Sequence, residues 1–263
     1  MPELPEVETI TRGLRQNILN QRIDAVALRY KPLVTGKFSE QTLIGDSFQK
    51  IERHGKYMKL TTKKGLRLLV HLRMTGQLFL ADNKYKPDKH VHLLITLQNK
   101  QILVYRDIRK FGRWIVIPAQ KQFADYINAG VDALAISLEQ LQAKMQKYKH
   151  KKLKAFLLDQ TILAGIGNIY ADEICFKLGY DPETEASKVD PTKLHPMIGK
   201  ILKLAIKNKG TSVSDYLTST GAKGNFQNIL NVYKQKTCRH CGSKIGRKKV
   251  AGRTSHVCPN CQH

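Results

Sequence analysis

The chain has 263 residues, 41% of them hydrophobic, which allows one large domain or two ordinary ones around a full core. No apolar run is long enough to span a membrane, and the acidic N-terminus lacks the layout of a signal peptide, so the expected location is cytoplasmic, without a membrane partner. A net charge of +24 points to a polyanion, and nucleic acid is favoured over an acidic membrane because no lipidation motif or basic helix with bulky apolar anchors is present.

The first eight residues read as a helix start. Pro5 suits the first turn, and Glu6 and Glu8 favour the positive end of the helix dipole. Leu4, Val7, Ile10, Leu14 and Ile18 recur at helical spacing and predict a helix to about Leu19. A second reading concerns Pro2. Without Met1 it would carry a terminal amine, about one in ten of which is neutral at pH 7 and able to attack a carbonyl-like carbon.

Short β-branched or alternating runs follow: 22–30, 43–53, 57–62, 66–71, 77–81, 90–97, 101–106 and 113–117. Many short strands at close spacing predict a sandwich or barrel. Within them, Lys56 follows His54-Gly55 in a tight turn, where it is either a surface lysine or a cation projecting into a groove. Met74 lies at a strand end and suits a core position. His90 and His92 alternate on one strand and are expected to point the same way, too few for a metal site. Arg109 and Phe111 place an apolar ring among cations, the kind of wedge that fills a duplex when a base leaves it.

A linker is expected near 130–136, and then helices over 138–147, 152–158, 168–178 and 191–207. Six lysines occupy Lys144–Lys154 without an intervening acid. Gly165-Ile166-Gly167-Asn168 precedes a helix, with Asn168 as its N-cap. It is either a plain turn or a phosphate site formed by exposed N–H groups. Cys175 stands alone on an apolar face and suits a core thiol.

Cys238-x2-Cys241 and Cys258-x2-Cys261, with sixteen residues between the pairs, have the spacing of a four-cysteine zinc site. Two disulfides are the alternative, disfavoured in a reducing compartment. The flanking residues are poor in apolar side chains, so the metal is expected to supply folding energy. Residues 247–250 and 254–258 predict a hairpin with Ala251-Gly252-Arg253 at its turn, which puts Arg253 at an exposed tip.

Together these residues resemble the bacterial formamidopyrimidine-DNA glycosylase/endonuclease VIII family. The resemblance rests on PELPEVE at 2–8, HGKY at 54–57, HLRMTG at 71–76, KHVH at 89–92, DIRKFG at 107–112, GIGNIYADE at 165–173 and AGRTSHVCPNC at 251–261, and covers nearly the whole chain. It implies an α+β multidomain protein: an N-terminal β-sandwich with flanking helices over 1–132, a helical helix–two-turn–helix DNA-binding domain over 133–230, and a four-cysteine zinc finger over 231–263 holding one structural Zn2+. The implied activity is a bifunctional DNA glycosylase and abasic-site lyase of base excision repair. It would excise 8-oxoguanine and formamidopyrimidines through a Schiff base, then cleave the strand by β,δ-elimination.

The family roles carry over by position. Pro2 is the nucleophile, acting only once Met1 is lost, so the chain as numbered is expected to be a precursor. Glu3 is the general acid–base, and Glu6 a further acidic site residue. Lys56 serves β-elimination and phosphate contact, and Arg253 δ-elimination. Met74, Arg109 and Phe111 fill the vacated stack, while His90, Arg109 and Asn168 contact DNA. His150 stands where a DNA-contacting lysine is common. Residues 210–226 align with a mobile loop over the extruded base, Lys154-Ala155 replaces the usual Lys-Pro, and residues 130–134 match the family's hinge only loosely.

The partner implied is double-stranded DNA carrying damaged bases, bound by a monomer that joins the bacterial nucleoid when acting. Two alternatives stand beside this reading: an endonuclease VIII-like enzyme for oxidised pyrimidines, and a zinc-ribbon DNA-binding protein without catalysis.

Overall fold

The computed structural model describes residues 1–212 and 215–263. They pack as two compact units, Met1–Ile127 with Asn208–Asn225, and Asn128–Lys207 with Phe226–His263.

The first unit begins with α1 (Leu4–Ile18), whose stripe of Leu4, Val7, Ile10, Leu14 and Ile18 is fully buried as its spacing demands. Nine strands follow: β1 (Ile23–Leu28), β2 (Val34–Thr35), β3 (Phe48–His54), β4 (Tyr57–Thr62), β5 (Arg67–His71), β6 (Gly76–Ala81), β7 (Val91–Leu97), β8 (Ile102–Asp107) and β9 (Arg113–Ile117). They form a four-stranded sheet in the order β1-β7-β8-β6 and a five-stranded sheet in the order β2-β9-β5-β4-β3. Ile51, Met58, Leu60, Leu68 and Val70 of one sheet and Leu78, Leu93, Ile95, Leu103 and Tyr105 of the other share a core with α1, which makes the unit a β-sandwich with a helix closing it.

Three local expectations change. The run 43–53 is a strand only from Phe48, because Gly45 turns the chain at a φ of 74° and a short 3-10 turn occupies 40–42. The two-residue β2 pairs parallel with β9, a match invisible to local alternation. His90 and His92 do not alternate on one strand, since His90 lies in the turn before β7. A register shift between Val91 and Leu93 turns His92 inward, where its Nε2 lies 2.7 Å from the Asp107 carbonyl oxygen, while His90 stays part-exposed.

The second unit contains β10 (Val131–Asp132), α2 (Leu138–Lys147), α3 (Leu153–Leu158), β11 (Leu163–Ala164), α4 (Asn168–Leu178), α5 (Pro191–Lys207), β12 (Gly246–Val250) and β13 (Arg253–Val257). The expected linker near 130–136 is partly a strand, since β10 pairs parallel with β11. Asn168 is not the N-cap of α4. Gly167 holds that position and Asn168 is the first helical residue.

Residues 208–225 fall by chain order within the expected stretch 133–230 but pack into the first unit. Tyr216 enters the sandwich core, Leu80 N donates to the Ser219 carbonyl at 2.7 Å, and Asn225 N donates to the Asn208 carbonyl at 2.8 Å, so the segment leaves and returns at one point. Of the expected mobile loop at 210–226, Val213 and Ser214 lie outside the described residues.

Candidate active site

The first unit gathers titratable groups around the start of α1. Glu3 is the N-cap, in extended conformation, and forms a capping box with Glu6: Glu3 N donates to Glu6 Oε2 at 2.8 Å. Glu6 Oε1 accepts from Thr211 N at 2.7 Å. Both oxygens of this buried carboxylate are thus engaged, one on the turn that starts α1 and one on the returning segment. Gly210 is needed there, because a Cβ would sit 2.8 Å from Glu6 Oε1 and its φ is 77°. Pro2 is buried between exposed Met1 and Glu3. Burial holds the terminal amine at Met1 below its ordinary range. Glu3, Glu6 and Asp215 push it back up, and Lys56 adds to the lowering. One nitrogen therefore senses four charged side chains from three separate stretches of chain.

Lys56 is no surface lysine: it is 6% exposed. Gly55, at a φ of 54°, supplies the left-handed first position of a two-residue hairpin turn between β3 and β4. Arg53 braces that turn, its Nη1 donating to the Gly55 carbonyl at 3.2 Å while its Nε donates to Glu8 Oε2 at 2.7 Å. His71, at the end of β5, is a member of this cluster to which no role attached in the sequence. Its Nδ1 accepts from Arg73 N at 2.9 Å, which assigns the neutral ring's proton to Nε2. Burial, reinforced by Arg73 and Lys56, lowers its pKa to about 3, so it stays an uncharged donor at neutral pH.

This predicts a pH effect. The unfolded imidazole protonates below about pH 6.5, whereas the folded one resists until about 3. The stability held in the neutral ring is therefore complete above pH 6.5 and drains as pH falls towards 3, by up to about 1.4 kcal/mol per pH unit. His71→Phe should flatten the acid limb of urea-unfolding stability by about one proton between pH 6 and 4. An unchanged slope would contradict the assignment.

Met74 is 40% exposed and Phe111 46% exposed, so Met74 is not the core residue its place at a strand end suggested. The loop that presents them is built on Asp107, which is fully buried. Its Oδ1 accepts from Thr75 Oγ1 at 2.5 Å and from Arg109 N at 3.2 Å, and its Oδ2 accepts from Gly112 N at 2.8 Å. Gly112 must lack a side chain, because a Cβ would overlap the Tyr105 hydroxyl. The Arg109 guanidinium lies 4.6 Å from the Phe111 ring centre, an apolar edge joined to a cation. The buried hub thus presents one exposed ring, Phe111, beside a cation.

In the second unit, Asn168 Nδ2 donates to the Thr254 carbonyl at 3.0 Å, and its Oδ1 is buried with no partner among the described residues. Arg253 is exposed, and it opens β13 directly after a turn in which Ala251 and Gly252 have φ of 50° and 72°, rather than lying in the turn itself. His150 is exposed in the turn after α2. Cys175 is fully buried, as a core thiol should be.

The sulfurs of Cys238, Cys241, Cys258 and Cys261 lie within 4.8 Å of one another, with Cys241–Cys258 at 3.4 Å and Cys238–Cys261 at 3.9 Å. A tetrahedral zinc with Zn–S near 2.3 Å needs sulfurs about 3.8 Å apart, and a disulfide needs about 2.05 Å. The set fits one structural zinc ion. Hydrogen bonding from Ser243 holds Cys241 down to about 6, while the neighbouring sulfurs push Cys261 up to about 12. Four thiolates cannot coexist here without a cation, so metal entry expels protons.

Comparisons with known proteins divide the chain in sequence order. Residues 1–114 match the formamidopyrimidine-DNA glycosylase N-terminal domain, 130–216 the formamidopyrimidine-DNA glycosylase H2TH domain, and 235–263 the zinc finger found in FPG and IleRS. The chain is 39% identical to a formamidopyrimidine-DNA glycosylase of Desulfitobacterium hafniense over 100% of both, and 36% identical to that of Streptococcus mutans over 100% of the chain and 99% of the relative. Among solved structures it is similar to Lactococcus lactis Fpg in complex with abasic-site DNA, at 36% identity, 99% coverage of each and a TM-score of 0.89. It is equally similar, at 37% identity, the same coverage and TM-score 0.89, to that enzyme with DNA carrying N7-benzyl-Fapy-dG.

Proposed function

The chain belongs to the formamidopyrimidine-DNA glycosylase family, and from that premise we infer how its residues carry out glycosylase and abasic-site lyase chemistry in base excision repair, on 8-oxoguanine and formamidopyrimidines. The observation that supports the assignment of roles is the setting next to Pro2: burial holds the neighbouring Met1 amine below its ordinary range, and the charges of Glu3, Glu6 and Lys56 all act on it. Once Met1 is removed, the Pro2 nitrogen bonds to the sugar C1′ as the bond to the damaged base breaks. Glu3 delivers the proton that lets the sugar ring open, leaving a Schiff base. Glu6 holds the turn and the returning segment together. Lys56 neutralises phosphate and serves β-elimination, and Arg253 serves δ-elimination.

Met74, Arg109 and Phe111 fill the vacated stack, which offsets part of the few kcal/mol of unstacking. His90, Arg109, Asn168 and His150 meet the DNA backbone or bases. Zinc supplies folding energy to the finger. In chain order the catalytic sandwich is 1–132, the helix–two-turn–helix domain 133–230 and the finger 231–263. The protein acts on damaged duplex DNA as a monomer in the bacterial cytoplasm, at the nucleoid. No helix among the described residues is long and apolar enough to cross a membrane.

Borohydride should trap a covalent complex between Met1-processed, zinc-loaded protein and a duplex with 8-oxoguanine opposite cytosine. No trapped species would leave a non-catalytic DNA-binding protein. Preferential trapping on oxidised-pyrimidine duplexes would move the substrate to the endonuclease VIII class.

A further inference from the structure

The lysine run that leads into α3 ends on a lysine, Lys154, that cannot meet DNA. Lys154 is 0% exposed, and so is its partner Asp172 on α4. Lys154 Nζ donates to Asp172 Oδ1 at 2.6 Å, to Ser255 Oγ at 2.8 Å and to the Thr254 carbonyl at 3.0 Å, which uses all three ammonium protons. Asp172 Oδ2 accepts from His256 N at 3.0 Å and lies 2.9 Å from His256 Nδ1. Three consecutive residues of β13, Thr254 to His256, are therefore gripped by two side chains from two helices. Asn168, one turn before Asp172 on α4, adds a second donor to the Thr254 carbonyl.

A fully desolvated ion pair is a poor way to gain stability, since an apolar pair of similar volume is often as good or better. What it provides here is geometry. Every bond it makes outside the pair itself ends on the strand that starts at Arg253, and the clamped Thr254 carbonyl is one residue from that arginine. On the other side, the Ala251-Gly252 turn has left-handed torsions that a two-residue hairpin fixes. The tip is held from both directions.

We propose that Lys154 and Asp172 are positioning residues for strand cleavage: their buried pair sets the direction in which the Arg253 guanidinium leaves the hairpin and so controls δ-elimination relative to β-elimination. The inference rests on the δ-elimination role given to Arg253 above. Neither residue touches substrate; both act through the backbone of β13.

The test is the ratio of δ to β product from an abasic-site duplex, measured in single turnover with saturating, zinc-loaded protein. Lys154→Met combined with Asp172→Asn removes both charges together, so that no buried ion is left unpaired. The ratio should fall on the order of tenfold, as expected when a reacting group is misplaced, while borohydride trapping and zinc content persist. An unchanged ratio in that folded, zinc-loaded variant overturns the proposal. Ser255→Ala deletes one acceptor of Lys154 without exposing a charge and covers the case in which the double variant does not fold. There the ratio should fall about threefold, and no change would again overturn it. A loss of trapping by the unaltered protein would instead sink the catalytic reading on which the clamp depends.

Discussion

Glu3→Gln should lower excision of 8-oxoguanine by about 10²- to 10⁴-fold, the range of a general acid–base contribution, while leaving duplex affinity within a few-fold. The substitution isolates the proton. Glutamine has the same length, and its carbonyl oxygen can keep the capping position opposite the Glu6 N–H. Glu3 N still donates to Glu6 Oε2, so the turn that carries Pro2 keeps its support. Glu3 is 3% exposed and sits next to Pro2, the proposed nucleophile, where an amide can neither deliver nor take a proton. Single-turnover excision together with a binding isotherm on the same lesion duplex checks this. Excision at the unaltered rate would remove Glu3 from the mechanism. A parallel loss of affinity would make its role one of shape.

Stripping zinc with a chelator should unfold the finger and reduce lesion-duplex affinity by at least about a hundredfold, because structural zinc contributes about 10–16 kcal/mol to such modules. The local core is too small to compensate. Phe176, Val232, Ile245, Cys238 and Cys258 make up its buried apolar cluster, and two of those five are ligands. The Lys154–Asp172 grip and the Lys248–Asp181 contact at 2.5 Å fasten the hairpin to the helices, but they cannot hold four thiols at metal-ligand spacing without the metal. Hydrogen exchange should show amides of 246–257 losing protection while β4 and β5 keep theirs, since the sandwich core draws on residues of the first unit. Full affinity after verified zinc loss would separate DNA binding from the finger.

Local pattern carried much of the secondary structure. The ranges 57–62, 113–117, 138–147, 168–178 and 191–207 coincide with β4, β9, α2, α4 and α5, because each is long enough, and periodic enough, for its own side chains to declare the buried face. The failures are non-local. β2 exists because β9 lies alongside, and β10 because β11 does. The inward turn of His92 follows from a bulge that one strand cannot reveal by itself.

The candidate site divides in the same way. The four cysteines announce themselves by spacing, whereas order alone offered Pro2 only as an alternative to a plain helix start, and the roles of Glu3 and Glu6 came from the family resemblance. His71 and Asp215 carried no such signal: folding brings Asp215 to the terminal amine and His71 to Lys56. By itself, the sequence determined which chemical groups exist and, through amphipathic stripes and thiol spacing, which neighbours in the chain must share a face or a metal. Tertiary structure alone decided that Lys56 and Lys154 are buried, that Asp107 anchors the wedge loop, and that residues 208–225 return to bind Glu6. Charge burial and carboxylate pairing depend on partners up to 205 residues away, and no local pattern encodes a contact at that separation.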